Sequence, residues 1–263
     1  MKTLVIAYSG LLRGNSVTWS TILNHVVTPL NADLGVFCCY NETPTYENIL
    51  FNKSKYTHVI PEFSDFYEYY KITYPQFLNE IKFLFEELNL YPFKGSAFFT
   101  LTLKDMIYNT YKETVKEYDQ IILTRSDNFF LKDHLRLNVN GVHIPTGENH
   151  KGVCDRHIVL PATQWKKTTS FIEFICNNIN KFSNKRYLNA EKIFQLCLQM
   201  QKVKISRFQR NHFLVYNEID KTSWPDRYKS AIASRVIKIV FKNNELTAKY
   251  KDEYQEAMKC FEV

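Results

Sequence analysis

The stretch YDQIILTRSDNFFLKD, residues 118–133, decides the fold and raises the first question about function. Three apolar residues, 121–123, run directly into the tetrapeptide TRSD at 124–127, and a second apolar run follows at 129–131. A continuous apolar run is typical of a strand that is buried on both faces of a sheet. The charged residues at its end therefore predict that this strand opens onto a polar site.

Outward from this stretch, apolar runs alternate with amphipathic helices. The clearest helix, 96–115, repeats apolar residues one turn apart and leads into the strand at 120–123. This alternation predicts an α/β fold in one domain, 1–263, with a mostly parallel central sheet and helices on both faces. The other predicted strands lie at 3–8, 34–40, 58–60, 142–144, 203–205, 213–216 and 236–241. The other predicted helices lie at 16–28, 164–180 and 189–200, and two more begin at Pro75 and at Glu245.

The composition excludes several classes of protein. The chain is 45% hydrophobic and has only 7 glycines and 8 prolines, which excludes collagen-like and repeat architectures. Its six cysteines form no CxxC pair, so zinc-ribbon and thioredoxin-type sites are not indicated. No stretch approaches the roughly 20 apolar residues of a membrane span, and the start MKTLVIAYSG lacks a signal-peptide core. We expect a cytoplasmic protein with reduced cysteines and no membrane span.

The charge balance points to an anionic ligand without choosing one. The formal net charge is +7, and the basic residues are scattered along the chain. Such an excess suits a nucleotide, a phosphate or a nucleic acid. The segment KVKISRFQR, 202–210, interleaves basic and aromatic residues, which fits nucleic-acid binding and a solvated basic strand equally well.

Asp127 and Arg125 are the first candidates for chemistry, because ligands in open α/β sheets bind beyond the carboxyl ends of the strands. A carboxylate at that position suits Mg²⁺ or Mn²⁺, which bring the phosphates of a nucleotide with them. It equally suits a turn, since Asp-Asn is a common turn sequence. Arg125 either clamps phosphate or ribose, or pairs with Asp127.

The turn after the first strand, YSGLLRGNS at 8–16, is the second candidate. Its small residues let the backbone approach a nucleotide, and Arg13 is placed to reach a diphosphate. It contains neither GxGxxG nor GxxxxGK[ST], so neither a dinucleotide fold nor a P-loop is indicated. An ordinary strand-to-helix loop is the alternative.

The third candidate is PTGENHKGVCDRHIVLP, residues 145–161. A metal site of Glu148, His150 and His157 is one interpretation, but the spacing matches no standard zinc pattern, and solvated histidines are the alternative. Asp155 precedes an apolar run, where a carboxylate is held rigidly, as a general base must be. The alternative for Asp155 is a cap. The chain has no GxSxG elbow.

Four motifs occur in a fixed order along the chain. They are SGLLRG at 9–14, the strand LGVFCCY at 34–40, TRSD at 124–127, and GVCD at 152–155, which follows an extended Ile-Pro segment. Together they resemble a family of cytoplasmic or viral glycosyltransferases with the GT-A fold, whose members carry S-G-x-L-R-G, T-R-x-D and G-x-x-D in this order. The resemblance covers roughly residues 1–200.

The resemblance implies a role for each cluster. Residues 1–125 would form the nucleotide-binding half and 126–263 the acceptor-binding half with the C-terminal elements. Arg125 stands where many GT-A enzymes have the first aspartate of an Asp-x-Asp motif, and an arginine there would itself neutralise phosphate charge. Asp127 would hold Mn²⁺ or Mg²⁺, with His212 as a second metal ligand. The residues expected to bind the nucleotide are Tyr8, Ser9, Gly10, Arg13, Thr124 and Arg125.

The same resemblance implies the reaction. An acceptor hydroxyl would displace the nucleoside diphosphate of a sugar donor, UDP by preference, with Asp155 as the base if the enzyme inverts and Glu148 as the alternative base. The partners would be a nucleotide-sugar and a glycan or glycoprotein acceptor, in the host cytoplasm if the chain is viral, and no nucleic acid. The other interpretation is a non-catalytic nucleotide- or RNA-binding module on the same scaffold.

Overall fold

The computed structural model describes residues 1–10, 12–39, 48–61, 66–87, 96–138, 140–147, 150–183, 188–216 and 236–262. The strands are β1 (Thr3–Tyr8), β2 (Asp33–Cys39), β3 (Tyr56–Ile60), β4 (Gln120–Arg125), β5 (Asn128–Phe130), β6 (Val142–Pro145), β7 (His157–Pro161), β8 (Ile205–Phe208), β9 (His212–Leu214), β10 (Ile237–Phe241) and β11 (Asn244–Ala248).

The helices alternate with these strands along the chain, and the last helix follows β11. They are α1 (Ser16–Ile22), α2 (Thr28–Leu30), α3 (Ile49–Lys53), α4 (Phe66–Thr73), α5 (Leu78–Glu87), α6 (Ser96–Tyr111), α7 (Trp165–Thr169), α8 (Ile172–Cys176), α9 (Ile179–Ser183), α10 (Ala190–Met200) and α11 (Lys251–Met258). A π-helical segment, Leu23–Val27, joins α1 to α2. Short 3₁₀ segments occupy Pro75–Phe77, Thr114–Glu117, Ala162–Gln164 and Lys259–Phe261.

The predicted α/β fold is confirmed. Seven strands form the central sheet in the order β3-β2-β1-β4-β7-β6-β8. The strands β1 to β4 are mutually parallel, β7 is antiparallel to both of its neighbours, and β6 pairs in parallel with β8. Strands from both predicted halves of the chain therefore contribute to one sheet. Two small two-stranded sheets, β5-β9 and β10-β11, lie outside it.

Helices cover both faces of the sheet, which explains why its strands are apolar throughout. On one face, Ile6 and Ile121 lie in a buried cluster with Ile107 of α6 and Phe194 of α10. On the other face, Ile122 joins a second buried cluster with Ile22 of α1. Successive residues of a strand point to opposite faces, so the two clusters draw alternately on the same run of sequence.

Two helices begin directly after an asparagine cap, and each cap marks where the preceding polar loop ends. Asn15 accepts a hydrogen bond from the Thr18 amide at 3.1 Å and so begins α1 directly after the turn at 8–16. Asn189 accepts one from the Lys192 amide at 2.8 Å at the start of α10. An asparagine at this position satisfies amides that have no partner within the helix.

Four predicted elements differ from the structure, and one of them is the helix predicted at 164–180, which is divided into the three short helices α7, α8 and α9. The helix predicted from Glu245 is wrong over its first residues, because 244–248 is the strand β11 and the helix begins at Lys251. Lys242 and Asn243 have φ of 48° and 65°, and two successive left-handed residues form the tight turn that joins β10 to β11. This turn keeps the chain extended after Asn244.

The strands predicted at 203–205 and 213–216 are displaced. The Val203 amide still bonds to the Leu198 carbonyl at the end of α10, so β8 begins only at Ile205. The second strand, β9, ends at Leu214, after which Val215 makes an isolated bridge to Ala248. The apolar residues 158–160 proved to be β7, which runs antiparallel to β4.

Among the described residues, none of the helices combines the length and the apolar character that crossing a bilayer requires.

Candidate active site

Most of the predicted site residues converge at one edge of the central sheet. β1 and β4 are parallel and end opposite each other, with Tyr8 paired to Arg125. Because β7 is antiparallel to β4, its first residue, His157, lies opposite Thr124. The ends of β1 and β4 and the start of β7 therefore meet at the same edge. This arrangement brings Asp127 and Asp155 to one place, although they lie 28 positions apart in the chain.

Arg125 and Asp127 form a two-pronged ion pair across the turn that follows β4. Arg125 donates from Nε to Asp127 Oδ1 at 2.8 Å and from a terminal nitrogen to Oδ2 at 2.5 Å. Asp127 is fully buried, whereas the Arg125 side chain is 21% exposed. Burial alone would raise the pKa of Asp127, but the charges of Arg125 and Lys249 outweigh it and lower that pKa. Asp127 is therefore a fixed negative charge that orients Arg125.

Asp155 is held by a lysine that the sequence did not single out. Lys104 of α6 donates to Asp155 Oδ2 at 2.8 Å, and both side chains are almost completely buried. The Tyr8 hydroxyl donates to the backbone carbonyl of Asp155 at 3.1 Å. Burial would raise the pKa of Asp155, but the neighbouring charges of Lys104 and Arg156 lower it. Asp155 is thus ionised, as a base must be before it accepts a proton.

The turn at 8–16 is bonded to the turn that carries Asp127. The Ser126 hydroxyl donates to the Arg13 carbonyl at 2.9 Å and lies 3.1 Å from the Ser9 hydroxyl. The Gly10 carbonyl accepts from the Cys39 amide at 2.7 Å, which ties the turn to the end of β2 as well. Gly14 has φ of +93°, a conformation that favours glycine. Four predicted nucleotide-binding residues, Ser9, Gly10, Arg13 and Arg125, are therefore contiguous.

Thr124 and Tyr8 face inward rather than toward an open surface. The Thr124 hydroxyl accepts a hydrogen bond from Asn128 Nδ2 at 2.9 Å, and Thr124 is fully buried. Tyr8 is 3% exposed, and burial together with the charge of Asp155 raises its pKa well above the ordinary value. Their contacts are with buried residues that lie behind the site. A role in contacting the nucleotide stays a prediction for both.

A buried ionic network links the C-terminal helix to this edge. Glu253 of α11 accepts from Arg210 at 2.6 Å, from Arg156 at 3.4 Å and from the Leu214 amide at 3.1 Å. Arg156 also donates to Glu191 at 2.8 Å. Burial would raise the pKa of Glu253, but the two arginines lower it, so this carboxylate is ionised. The network was not predicted, because its members occupy four distant segments of ordinary polar sequence.

Glu191 differs from the other carboxylates of the network. Burial and the negative charge of Asp155 raise its pKa to about 7, even though Arg156 bonds to it. It stands in the first turn of α10, where the loop after His150 approaches closely: the Val153 amide bonds to the Glu191 carbonyl at 3.1 Å. A Cβ at Gly152 would come within 2.2 Å of the Glu191 backbone, so only glycine fits the approach.

Of the three predicted histidines, His157 and His212 lie together, whereas His150 lies apart from them. His212 packs on Phe130 and on His157, with ring centroids 4.8 and 4.5 Å apart, and its Nδ1 bonds to Asn211 at 3.1 Å. His150 instead packs against Tyr250, at 5.1 Å between ring centroids. The structure thus places His150 and His157 in different surroundings. Glu148, the alternative base and the third member of the predicted loop site, lies outside the described residues.

A divalent metal at Asp127 would have to compete with Arg125, which already binds this carboxylate. Both oxygens of Asp127 already accept from Arg125, and the charges of Lys249 and Arg13 also act on this carboxylate. In the part of the chain that the structure describes, no three His, Cys, Asp or Glu side chains are grouped to hold a metal ion. The described residues do not fit Mn²⁺ or Mg²⁺ here. The metal roles of Asp127 and His212 stay predictions from the resemblance.

A cleft of about 490 Å³ opens at the carboxyl end of β3, on the same sheet edge but beyond β2. Its walls are mostly apolar, and their polar side chains include Asn109 of α6. Asn109 also donates to Asp105, which accepts from Tyr69 and Tyr74. The cleft is lined by Ile60, Pro61, Tyr69, Thr73, Met106, Asn109 and Thr110.

Comparison with known proteins adds one distant likeness. No protein-family model matches the chain, and no curated protein matches it. Among solved structures, the chain is similar to PaToxG glycosyltransferase, with a TM-score of 0.41 and 11% sequence identity over 76% of this chain and 69% of that one. A likeness of this size assigns neither a family nor an activity to the chain.

Proposed function

We propose that this chain transfers a sugar from a nucleoside-diphosphate sugar to a hydroxyl of an acceptor. The observation that carries the proposal is the convergence at one sheet edge of an arginine clamp, Arg125 on Asp127, with a buried ionised carboxylate, Asp155. Two of the four motifs that resemble GT-A glycosyltransferases, TRSD and GVCD, contribute these three residues. An edge of this kind is where open α/β sheets bind their ligands.

The proposed reaction is a displacement at the anomeric carbon of the donor. The acceptor oxygen forms a bond to that carbon while the bond from the carbon to the diphosphate oxygen breaks, and the electron pair leaves with the diphosphate. In an inverting enzyme Asp155 takes the proton of the acceptor hydroxyl. Arg125, held by Asp127, faces the negative charge that develops on the leaving group, which is where fixed donors contribute most.

Lys104 acts on this reaction through Asp155. Its ammonium group donates to one carboxylate oxygen at 2.8 Å and fixes the orientation of the carboxylate. Lys104 Nζ also lies 4.3 Å from the ring centroid of Phe194, so the ammonium end of the ion pair is held by a second contact. We therefore assign Lys104 as a positioning residue rather than a catalytic one.

A nucleotide-binding module without catalysis is the second candidate. Two bare carboxylates at the site would repel phosphate, but both are neutralised: Asp127 by Arg125 and Asp155 by Lys104. The charges at this sheet edge would therefore also suit a protein that binds a nucleotide without catalysing a reaction. Turnover, rather than binding, separates the two candidates.

The test is a donor panel with matched variants. We expect the protein to release the diphosphate from one nucleotide-sugar, with UDP-sugars first in the panel. Asp155→Asn should keep the donor dissociation constant near that of the wild type, because a base acts on the acceptor and in the transition state. Its turnover should fall by roughly a hundredfold to ten-thousandfold, the usual contribution of general base catalysis.

Asp133→Asn is the matched control, because Asp133 is exposed and its carboxylate contacts the His25 ring, away from Asp155 in the chain. It should leave both binding and turnover unchanged. Calorimetry measures donor affinity, and release of the diphosphate measures turnover. Tight nucleotide binding without turnover for any donor would favour the binding module. A folded Asp155→Asn variant with normal turnover would remove Asp155 as the base.

A further inference from the structure

The cleft at the carboxyl end of β3 takes no part in the proposed transfer reaction. Its volume of about 490 Å³ lies within the range of small-molecule sites. The end of β3 and the helices α4 and α6 form its walls, and their apolar side chains include Ile60 and Met106. A molecule that fills this cleft therefore needs an apolar body. The polar side chains of the walls decide which polar group that body should carry.

Asn109 presents a hydrogen-bond acceptor to the cleft. Its Nδ2 donates to the Tyr69 hydroxyl at 3.2 Å and to Asp105 Oδ2 at 3.3 Å. A side-chain amide nitrogen carries two hydrogens, so both of them are directed into the protein. Asn109 is half-buried and lines the cleft. What it offers to a bound molecule is therefore its amide oxygen.

Thr110 and Tyr69 direct their hydrogens in the same way. The Thr110 hydroxyl donates to the Met106 carbonyl one turn earlier in α6, at 2.9 Å. The Tyr69 hydroxyl donates to Asp105 Oδ2 at 2.7 Å. A hydroxyl group has a single hydrogen, so each of these side chains has already placed its donor. The polar part of the cleft is thus suited to a ligand that donates hydrogen bonds.

Asp105 places a negative charge behind these side chains. It is fully buried and accepts hydrogen bonds from the hydroxyl groups of Tyr69, Tyr74 and Ser170 as well as from Asn109. All four donors are neutral, and a neutral donor does not cancel the charge of a carboxylate. Burial raises the pKa of Asp105, and the hydroxyl donors oppose that rise. A cation in the cleft would favour the ionised carboxylate.

We propose that this cleft binds a small organic amine in its ammonium form. The apolar body of the amine packs against Ile60 and Met106, and its N–H groups donate to the oxygens of Asn109 and Thr110. The ring of Tyr69 in the wall provides a face that attracts a cation. The charge of Asp105 favours an ammonium group over a neutral alcohol and disfavours a carboxylate.

This site is independent of the proposed transfer reaction. In the sheet order, β2 and β1 stand between β3 and β4, so the cleft is separate from the edge that carries Asp127. Failure of one proposal therefore leaves the other standing.

The first arm of the test compares three probes of similar shape and different charge. These are 2-phenylethylamine, 2-phenylethanol and 3-phenylpropanoate, each titrated into ¹⁵N-labelled protein and followed by NMR. We expect the amine to shift the backbone amides of Asn109 and Thr110. Its dissociation constant should be about tenfold lower than that of the alcohol, the scale of one charge interaction in a partly buried setting. The carboxylate should not bind.

Two results of these titrations would overturn the proposal. Equal affinity for the amine and the alcohol would show that the cleft selects for an apolar body alone. No shift at Asn109 and Thr110 with any probe would show that the cleft is not a site for such molecules.

The second arm removes the buried charge. Asp105→Asn keeps the size of the side chain and one acceptor oxygen, so the affinity for the amine should fall to that for the alcohol. Asp119→Asn is the matched control, because Asp119 is exposed and precedes β4 at the opposite edge of the sheet. It should change neither affinity. A preference for the amine that survives in a folded Asp105→Asn variant would contradict the role of Asp105.

If Asp105→Asn does not fold, Thr110→Val replaces it, because Thr110 is half-buried and its hydroxyl bonds only within the turn of its own helix. The affinity for the amine should fall by about threefold to tenfold, the range of one hydrogen bond. Thr110→Ser keeps the hydroxyl group and should retain the affinity. An unchanged dissociation constant in Thr110→Val would overturn the proposed binding mode.

Discussion

The two ends of the chain meet at the same sheet edge, but different forces hold them there. The N-terminal strand β1 and its neighbour β4 are held by apolar side chains, such as Val5 and Ile122, that are fully buried between helices. The C-terminal helix α11 is held by Glu253, which is 1% exposed and bonds to two buried arginines. One region is an apolar core. The other is the buried ionic network of Glu253, Arg210, Arg156 and Glu191, which we call the ionic clasp.

This difference predicts in which region a substitution will lower the free energy of unfolding least. Apolar burial is non-directional and scales with area, so a strand keeps most of its stabilisation when one methyl group is lost. A buried ion pair has to recover the cost of taking its charges out of water, and it does so only while every partner is present. We therefore expect conservative changes to have small effects in β4 and large effects at Glu253.

Glu253→Ala should show the largest effect. It leaves Arg156 and Arg210 without their shared carboxylate and the Leu214 amide without an acceptor. Breaking a buried ion pair by removing one partner typically costs about 3–5 kcal/mol in the free energy of unfolding. Urea denaturation followed by circular dichroism measures this loss.

Asp252→Ala is the control for that measurement, because Asp252 is the exposed neighbour of Glu253 on α11. An exposed substitution of this kind should change the free energy of unfolding by about 0.5 kcal/mol or less. Equal losses for the two variants would mean that the ionic clasp contributes no more to the free energy of unfolding than an exposed carboxylate does. The contrast with the apolar core would then disappear.

The same contrast explains what the sequence could predict. The strands around 121–123 were identified because a sheet covered on both faces makes every residue of a strand apolar, and such a run is visible locally. The edge was identified for the same reason, since the end of an apolar run at Arg125 marks the end of a strand. These predictions needed no knowledge of distant contacts.

The ionic clasp could not be predicted, because its members are distant in the sequence and only the fold brings them into contact. Glu253 lies in a polar helix that resembles any solvated tail, and its partner Arg210 is 43 positions away. Lys104 lies on α6 among apolar residues, and only the fold places it 2.8 Å from Asp155. The strand β11 was missed for a more local reason, the left-handed turn at Lys242 and Asn243.

Three buried histidines beside the clasp should show the next largest effect, as a dependence of stability on pH. His134 Nδ1 donates to the Leu135 carbonyl at 2.7 Å, so its Nε2 accepts from His157 Nε2 at 3.0 Å when both rings are neutral. Among the residues that the structure describes, His157 Nδ1 then has no hydrogen-bond partner. His212 packs against His157, with Arg210 close enough for its charge to act on both.

Burial lowers the pKa of His134 to about 4 and lowers those of His157 and His212 well below the ordinary value. The unfolded chain binds protons on these rings below about pH 6.5, whereas the folded chain does not, so acid favours unfolding. From about pH 7.5 to about pH 5.5, His134 alone should remove on the order of 1 kcal/mol from the free energy of unfolding.

Urea denaturation at the two pH values measures this dependence, and His157→Phe tests its source. The variant keeps an aromatic ring of similar size but removes one titrating group and the hydrogen bond to His134. Its absolute stability is less informative than its pH dependence, which should be flatter than that of the wild type. The same slope in both proteins would place the origin of the pH dependence elsewhere.

Ile122→Val in β4 should show the smallest effect and so completes the comparison. Ile122 is fully buried, and it lies between Val5 of β1 and Val159 of β7. The change removes one methylene group and no polar contact, so the free energy of unfolding should fall by about 0.5–1.5 kcal/mol. Because no charge is involved, the loss should be the same at both pH values, and the affinity for a nucleoside diphosphate should not change. A loss that grows in acid, or that weakens diphosphate binding, would show that the apolar core and the ionic clasp are coupled rather than separate.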